Sequence, residues 1–484
     1  MPNYPYGVTA VLDNSIVSDA ALGSTLPCYV GTAPVNLIKG WTDKGLVNRP
    51  VRLDSLDAAA RTIGYSGDFD SFTLGHALAA HFDTRFDGVG PIAVINVLDP
   101  TLHTGAEVTQ TLVFQARQAV IESDLIVLDS LTIDSLAEGV DFTAEWNASR
   151  KAVVVTLIGP TATDGSKSAT WDTVDPSKVT ATAIIGKADR DQGQFEGIGA
   201  IHRVGSVLGR PATILATPGW SHIPEVAKAL LAVASKADGH WDALVVADLP
   251  QTVTTVTAAK AWKTTNGYTS ERLVVCWPKV VDANGRETWL SAHRVAATCR
   301  ADLAHDGIPV RSGGNLSVDT NGLAEDWCLD EIAGNVLDQD GITTTINRLG
   351  TWFTWGDQTS AVVDGEVADP RSRFDSTIRL LDYITNWFQA RWFDVIDDAT
   401  DRFLVERIRS TTQDFLNWLV SRGALLGDPT ITFLVTDNSK DGLRRGQFVF
   451  RLAATTTPPA KALALNAVWT DKGFDTYFGQ GDAS

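Results

Sequence analysis

The chain has 484 residues, 44% of them hydrophobic and 20% charged. At roughly 100–200 residues per domain that is two to four domains with an ample core, which excludes global disorder and collagen-like structure. Lys and Arg number 40 against 58 Asp and Glu, a formal net charge of -18. Binding a nucleic acid or an anionic membrane relies on clustered cations, so a chain this acidic is a poor candidate for either partner.

Apolar runs such as Ala152–Ile158 are too short to span a bilayer. Met1–Gly7 lacks the basic start and apolar run of a secretory signal, so the chain is expected to stay in the cytosol where it is made. Cys28, Cys276, Cys299 and Cys328 stand at least 23 residues apart with no C-x-x-C and read as core thiols. Fifteen tryptophans hint at an assembling protein, since Trp is favoured in cores and at protein–protein interfaces.

In chain order, residues 1–27 read as an extended arm. Val8, Ala10 and Leu12 alternate with Thr9, Val11 and Asp13, and Pro2, Pro5 and Gly7 forbid a helix. Residues 28–106 form the first part of a core, with strands at Cys28–Gly31 and Ile92–Leu98 and helices at Leu53–Ile63 and Phe69–Phe86. Residues 107–186 carry short apolar runs (Leu125–Leu128, Ala152–Ile158, Val179–Ile185) between Gly-, Asp- and Ser-rich turns and read as an inserted all-β module. Residues 187–350 alternate strands (Ala212–Ala216, Ala243–Ala247, Leu273–Trp277) with helices (Ile223–Ala237, Thr252–Lys263, Leu290–His305), the pattern of a largely parallel sheet covered on both faces. Residues 351–454 contain two long amphipathic helices, 375–393 and 401–422. The second has its stripe at Phe403, Ile408, Phe415 and Leu419, with Leu404, Thr411 and Thr412 beside it. Strands are expected at Ile431–Val435, Gln447–Leu452 and Ala462–Trp469, the last within an arm from 455 to 484.

Catalytic signatures fail one by one. Gly159–Lys167 has Gly-Ser-Lys where a phosphate loop needs Gly-Lys-Ser, and Gly197-Ile198-Gly199 lacks the third glycine of a dinucleotide turn. His76 and His81, five apart, face different sides of a helix. The Asp338–Gly341 stretch reads as an Asp-Gly turn, since calcium-loop ligands are missing at Val336 and Asn347. Asp394, Asp397, Asp398 and Asp401 read as anions at a helix N-terminus. Ser221-His222, after Gly219, does not make a nucleophile elbow, and Ser221 is expected to cap the next helix. No catalytic residue, cofactor or metal site is expected.

The apolar strand ending in Pro218-Gly219-Trp220, the helix after it, and the second strand ending in Asp248-Leu249-Pro250 resemble the tail sheath proteins of contractile-tailed phages. Asp175–Thr180 through Ile184-Ile185-Gly186, Leu290–Pro309, Gly341-Ile342, Trp355-Gly356 and Phe374–Leu381 match further landmarks of that family in order. Two positions depart from it. Asp357-Gln358-Thr359 stands where an Arg-Thr pair is common, and Ile378-Arg379-Leu380 where paired arginines are common.

The resemblance implies an α/β multidomain fold: a central subtilisin-like α/β core, an inserted small all-β domain, an α+β C-terminal domain, and extended N- and C-terminal arms. It implies a non-enzymatic subunit of the virion tail, assembled in the host cytoplasm. Copies would polymerise around a tail tube, between baseplate and tail terminator proteins, and contract to drive the tube through the host envelope. A tailocin or secretion-type contractile apparatus is the alternative, and an α/β hydrolase the remote one. Subtilisin-type G-T-S-x-A and H-G-T-H motifs are absent. The inter-subunit arms are expected to use Val8, Ala10, Val11 and Leu12 at one end and Ala462, Leu463, Leu465, Val468 and Trp469 at the other. Residues 371–422 balance eight arginines against eight acids in an otherwise acidic chain. One reading is a solvated helix face with local i,i+4 pairs such as Arg402 with Glu406. The sharper one takes Arg402, Arg407, Arg409 and Arg422 as the candidates to face the tube, through charge contacts that give register without a large apolar area.

Overall fold

A computed structural model describes residues 25–325 and 329–479. The amino-terminal part supplies β1 (Pro27–Gly31), β2 (Pro50–Leu53), helices α1 (Leu56–Thr62) and α2 (Leu74–Phe82), and β3 (Ile92–Asn96). Six antiparallel strands follow: β4 (Val108–Phe114), β5 (Gln118–Ile121), β6 (Thr132–Ile133), β7 (Phe142–Asn147), β8 (Ala152–Leu157) and β9 (Gly165–Trp171). The chain then returns with β10 (Ile214–Ala216), α3 (Pro224–Ala234), β11 (Leu244–Asp248), α4 (Val256–Thr265), β12 (Leu273–Cys276), α5 (Leu290–Leu303), α6 (Glu331–Asp338), β13 (Ile342–Arg348) and β14 (Thr351–Trp355). The last third holds α7 (Asp375–Trp392), α8 (Arg402–Ser421), β15 (Leu425–Thr432), β16 (Arg451–Thr456) and α9 (Lys472–Phe478).

Eight strands make one mixed sheet in the order β14-β13-β12-β11-β10-β1-β3-β2. The six inner strands are parallel, and the outermost strand on each side is antiparallel to its neighbour. Successive side chains on a strand point to opposite faces, and here both faces are buried. Cys28, Val30, Leu215, Val245 and Val275 pack against Val226, Leu230 and Ala259 of α3 and α4. Tyr29, Val94, Ile214, Val246 and Val274 pack against Leu78, Val295 and Ala296 of α2 and α5. A parallel sheet needs cover on both faces, which explains the unbroken β-branched runs visible in the sequence.

The inserted strands form two three-stranded sheets, β4-β9-β6 and β5-β8-β7. They close on a core of their own that includes Leu112, Phe114, Phe142, Val153, Val155 and Trp171. The entry and exit of this unit lie side by side, with the Gly105 N–H donating to the Thr173 carbonyl at 2.6 Å. The β module is narrower than the 107–186 expected. Val179–Ile185 is not a strand: it turns into a short helix, Ala181–Ile185, and Val174, Val179 and Ile184 belong to the central core. A β-branched run alone does not decide between a buried strand and a buried helical turn. Leu125–Leu128 is likewise no strand and leads into a 3-10 turn at Leu128–Ser130.

Helices α7 and α8 form a hairpin around a third core of Leu380, Tyr383, Ile384, Trp387, Phe415, Leu416 and Leu419. Its centre is the Trp387–Phe415 stack, with ring centroids 3.8 Å apart. The stripe of α8 runs through Leu404, Ile408, Thr412, Phe415, Leu416 and Leu419. Phe403, assigned to that stripe from the sequence, is 84% exposed, because a shift of one residue rotates a helical side chain by about 100°.

Strands β15 and β16 are also displaced from the expected Ile431–Val435 and Gln447–Leu452. Their pairing starts at Leu425 opposite Thr456 and crosses an irregularity between Leu426 and Thr430. Gly427-Asp428-Pro429 sits in that irregularity, where a bulge accommodates a proline inside a strand.

Candidate assembly surfaces

The catalytic candidates resolve into packing. Ser221 does not cap α3, which begins at Pro224 with Ile223 at its N-cap and no side-chain cap. Instead the Ser221 hydroxyl accepts from the Asp248 N–H at 3.0 Å, and Asp248 accepts from the Ser291 N–H at 2.9 Å and the Ser291 hydroxyl at 2.5 Å. Burial pushes the Asp248 carboxyl up to about 7 despite these donors. His222 stacks on Trp289 at 5.1 Å rather than on Ser221. The cluster ties the end of β11 to the start of α5.

His81 bonds the Tyr29 hydroxyl and the Val89 carbonyl inside the core, and His76 is equally buried. Of the four clustered aspartates only Asp401 caps a helix, accepting from the Leu404 N–H at 2.8 Å. Gly341, at φ +59°, completes the Asp-Gly turn with its N–H on the Asp338 carbonyl at 2.9 Å. Among the described residues no three metal-ligating side chains converge, and no helix is long and apolar enough to cross a membrane.

What the geometry offers is a rigid body with an unpaired extension. Helix α7 presents Asp375, Arg379 and Asp382 on one face, and each meets a charge of the central core. The Arg294 guanidinium donates to Asp375 at 2.6 Å, Arg379 pairs with Asp302, and Arg272 grips Asp382 at 2.7 and 3.0 Å. In the first pair both side chains are only 2% exposed. The Arg379 guanidinium stays firmly charged: burial works against it, but the Asp302 and Asp375 carboxylates outweigh that. Gly313 makes room for this arrangement, since a Cβ there would fall on the Arg294 guanidinium. Buried pairs of this kind cost desolvation and act chiefly through direction and register. They fix the helical hairpin to the core in one orientation.

The extension begins where β16 ends. After Thr457, whose N–H bonds the Ala424 carbonyl at 3.0 Å, the chain crosses Pro458-Pro459 and runs on without helix or strand to Thr470. The strand expected at Ala462–Trp469 is absent, because a strand needs a hydrogen-bonded neighbour and the described residues provide none here. Leu463, Leu465, Val468 and Trp469 are 79–93% exposed, Ala462 is exposed beside them, and Phe474, Tyr477 and Phe478 of α9 continue the apolar surface. Val8, Ala10, Val11 and Leu12 lie outside the described residues.

The four arginine candidates do not form one patch. Arg402 and Arg409 lie seven residues apart on one side of α8, and Arg407 lies well round the helix from both. Arg409 pairs with Glu406 at 3.1 Å, in place of the Arg402–Glu406 pair expected from spacing. Arg422 sits at the far end of α8, paired with Asp306 at 2.7 Å and lying over the Trp418 ring. The sequence held no signal for the α7 ion pairs, whose partners stand 77 to 110 positions apart.

No protein-family model matches the chain. The tail sheath protein of Burkholderia phage BcepMu is 27% identical over 487 residues, covering 95% of this chain and 96% of that protein. Two solved assemblies share the fold. One is the sheath complex of the extracellular contractile injection system PVC in its contracted state, with TM-score 0.56 and 13% identity over 98% of this chain and 99% of the other. The other is the contracted helical sheath of the anti-feeding prophage, with TM-score 0.53 and 13% identity over 96% and 100%. Along its length the chain is similar in sequence to a phage tail sheath protein, and it shares a mixed α/β multidomain fold with two contractile sheaths.

Proposed function

We propose that the chain is the structural subunit of a contractile phage tail sheath. Copies polymerise helically around a tail tube, anchored at a baseplate and closed by a terminator, and contract to drive the tube through the host envelope. The observation that carries this reading is the end-to-end similarity to a phage tail sheath protein. The free energy comes from repacking of subunits out of a metastable extended array, so the reading calls for no cofactor. The phage tail is favoured over a stand-alone injection apparatus because the relative with the higher sequence identity is the phage protein.

In this reading the eight-stranded sheet and its helices are the subtilisin-like core, and the inserted β module sits on the outside of the sheath. The expected arms, 1–27 and 455–484, are shortened, since Leu26 and Pro27 belong to the core sheet and Thr455 and Thr456 to β16. What remains of them adds to a neighbour's sheet edge, where backbone hydrogen bonds give direction while the linker bends. Support for the arms comes from the exposed apolar run at 462–469, which a soluble subunit does not leave uncovered without a partner. The tube faces the α7–α8 hairpin, with Arg402 and Arg409 as one charged side and Arg407 and Arg422 as separate contacts. Negative-stain microscopy of the purified chain tests the proposal. Long hollow cylinders are expected, and a monodisperse monomer at every concentration and salt condition tried would refute it.

A further inference from the structure

We propose that Lys461 is a positioning residue for the carboxy-terminal arm: held between the carboxylates of Asp338 and Asp357, it pins the arm's root to the central core and so fixes where the apolar run leaves for a second copy of this chain. The inference rests on the arm reading above and adds to it the device that aims the arm.

The Lys461 ammonium donates to Asp338 Oδ2 and to Asp357 Oδ1, each at 2.6 Å. Asp338 ends α6 and Asp357 follows β14, so both acceptors belong to the body of the subunit. Both carboxylates are largely buried, and the lysine is partly so. The acceptor pair is assembled by its own surroundings. Asp338 accepts from the Asp357 N–H and from Gln358 Nε2 at 3.2 Å, while Asp357 accepts from the Ser312 hydroxyl at 3.0 Å. Gly356, at φ +114°, turns the chain between them, and a side chain there would crowd Asp338. Two neighbouring carboxylates sheltered from water call for a cation. Among the described residues Lys461 is the cation that forms an ion pair with both. Burial works to lower the lysine's pKa, but the pull of Asp357 and Asp338 is greater and raises it, so the pin is charged at neutral pH.

The root is tied at two points. Thr457 bonds Gly423 and Ala424 at the hairpin, and Lys461 bonds the core four residues later. Pro458-Pro459 lies between them, a stiff extended span of about 3 Å per residue. Two ties and a stiff link fix direction as well as position. From Ala462 to Trp469 no hydrogen bond joins the segment to the rest of the described chain. Freedom therefore begins at a defined residue. Anchoring the root lowers the entropic cost of docking the run on a neighbour.

Nitroxides on Ile332→Cys and Ala462→Cys, in a Cys328→Ser background, report the root's position on α6 by pulsed electron resonance on the unassembled subunit. A single narrow distance distribution is expected. Lys461→Met should broaden it at least twofold, and Lys461→Arg should restore it. In unlabelled protein, Lys461→Met should lower cylinder yield about tenfold, and Lys461→Arg should recover most of it. A narrow distribution in Lys461→Met overturns the pin. A broadened one with undiminished cylinders overturns its role in assembly. If the parent itself forms no cylinders the sheath reading fails, while the distance measurement still decides the pin.

Discussion

The central sheet and the carboxy-terminal segment use the same apolar alphabet to opposite ends. Val245 and Val275 are wholly buried between helices, whereas Leu463 and Leu465 stand at least 90% exposed. Runs of similar length and hydropathy differ in one respect: whether the chain itself supplies the neighbouring strand and the covering helix. The core is finished within one molecule. The segment is not finished within the described chain, and on the arm proposal its exposed apolar area would drive docking on a second copy.

The difference can be broken most severely at the junction of core and hairpin. Asp375→Ala leaves Arg294 buried without its partner, and a loss of about 3–5 kcal/mol in unfolding free energy is expected from denaturant titration. Acid comes next. Burial lowers His76 to about 3 and His81, His222 and His293 to about 4. Below pH 6.5 the unfolded chain therefore binds protons that the native core refuses, and stability falls as pH falls. Asp248, raised to about 7, acts in the other direction, since the native state takes its proton first. Asp382, raised to about 6 by burial, and Asp302 and Asp242, raised likewise, act with Asp248 and offset part of the histidine effect, each unmatched proton being worth about 1.4 kcal/mol per pH unit. Unfolding midpoints should drop between pH 6 and 4, and more steeply in Asp248→Asn; an unchanged slope in that variant would remove Asp248 from the account.

Smaller effects sharpen the contrast. Replacing residues 106–172 by a short Gly/Ser linker should preserve the central core's thermal transition, because the two ends already meet at Gly105 and Thr173. Losing that transition would show that the module is part of the core. Leu465→Ser with Trp469→Ser should shift monomer stability by no more than about 0.5 kcal/mol, as for exposed positions generally, yet prevent cylinders. Normal cylinders from that variant would mean the segment is not the bond between subunits.

The parts legible in the sequence are those with local causes. The inner strands announce themselves as β-branched runs, and α7 and α8 by periodicity, although the α8 stripe passes through Leu404 rather than Phe403. Elements fixed by distant partners were hidden. The bulge in β15 is stabilised by pairing with a strand some twenty residues on, and Ala181–Ile185 is helical because it packs on α3. The two departures from the family pattern, at Asp357 and Arg379, are both sites of ion pairs that no spacing rule could have located. The sequence predicts a strand at Ala462–Trp469 where the structure has neither helix nor strand, because sequence reports the capacity to pair and not the presence of a partner.

Sulfur chemistry gives the buried core one further consequence. Cys28, Cys276 and Cys299 are free and enclosed, burial holds the Cys28 thiol up to about 12, and the sequence has a single methionine, Met1. The thiolate is the species that oxidants attack, and none of the three thiols can form it at any ordinary pH. A particle built in a reducing cell and then released into air-saturated water would meet peroxide and oxygen with almost no reactive sulfur on display at these sites. At these three positions oxidative ageing would find no thiolate to act on.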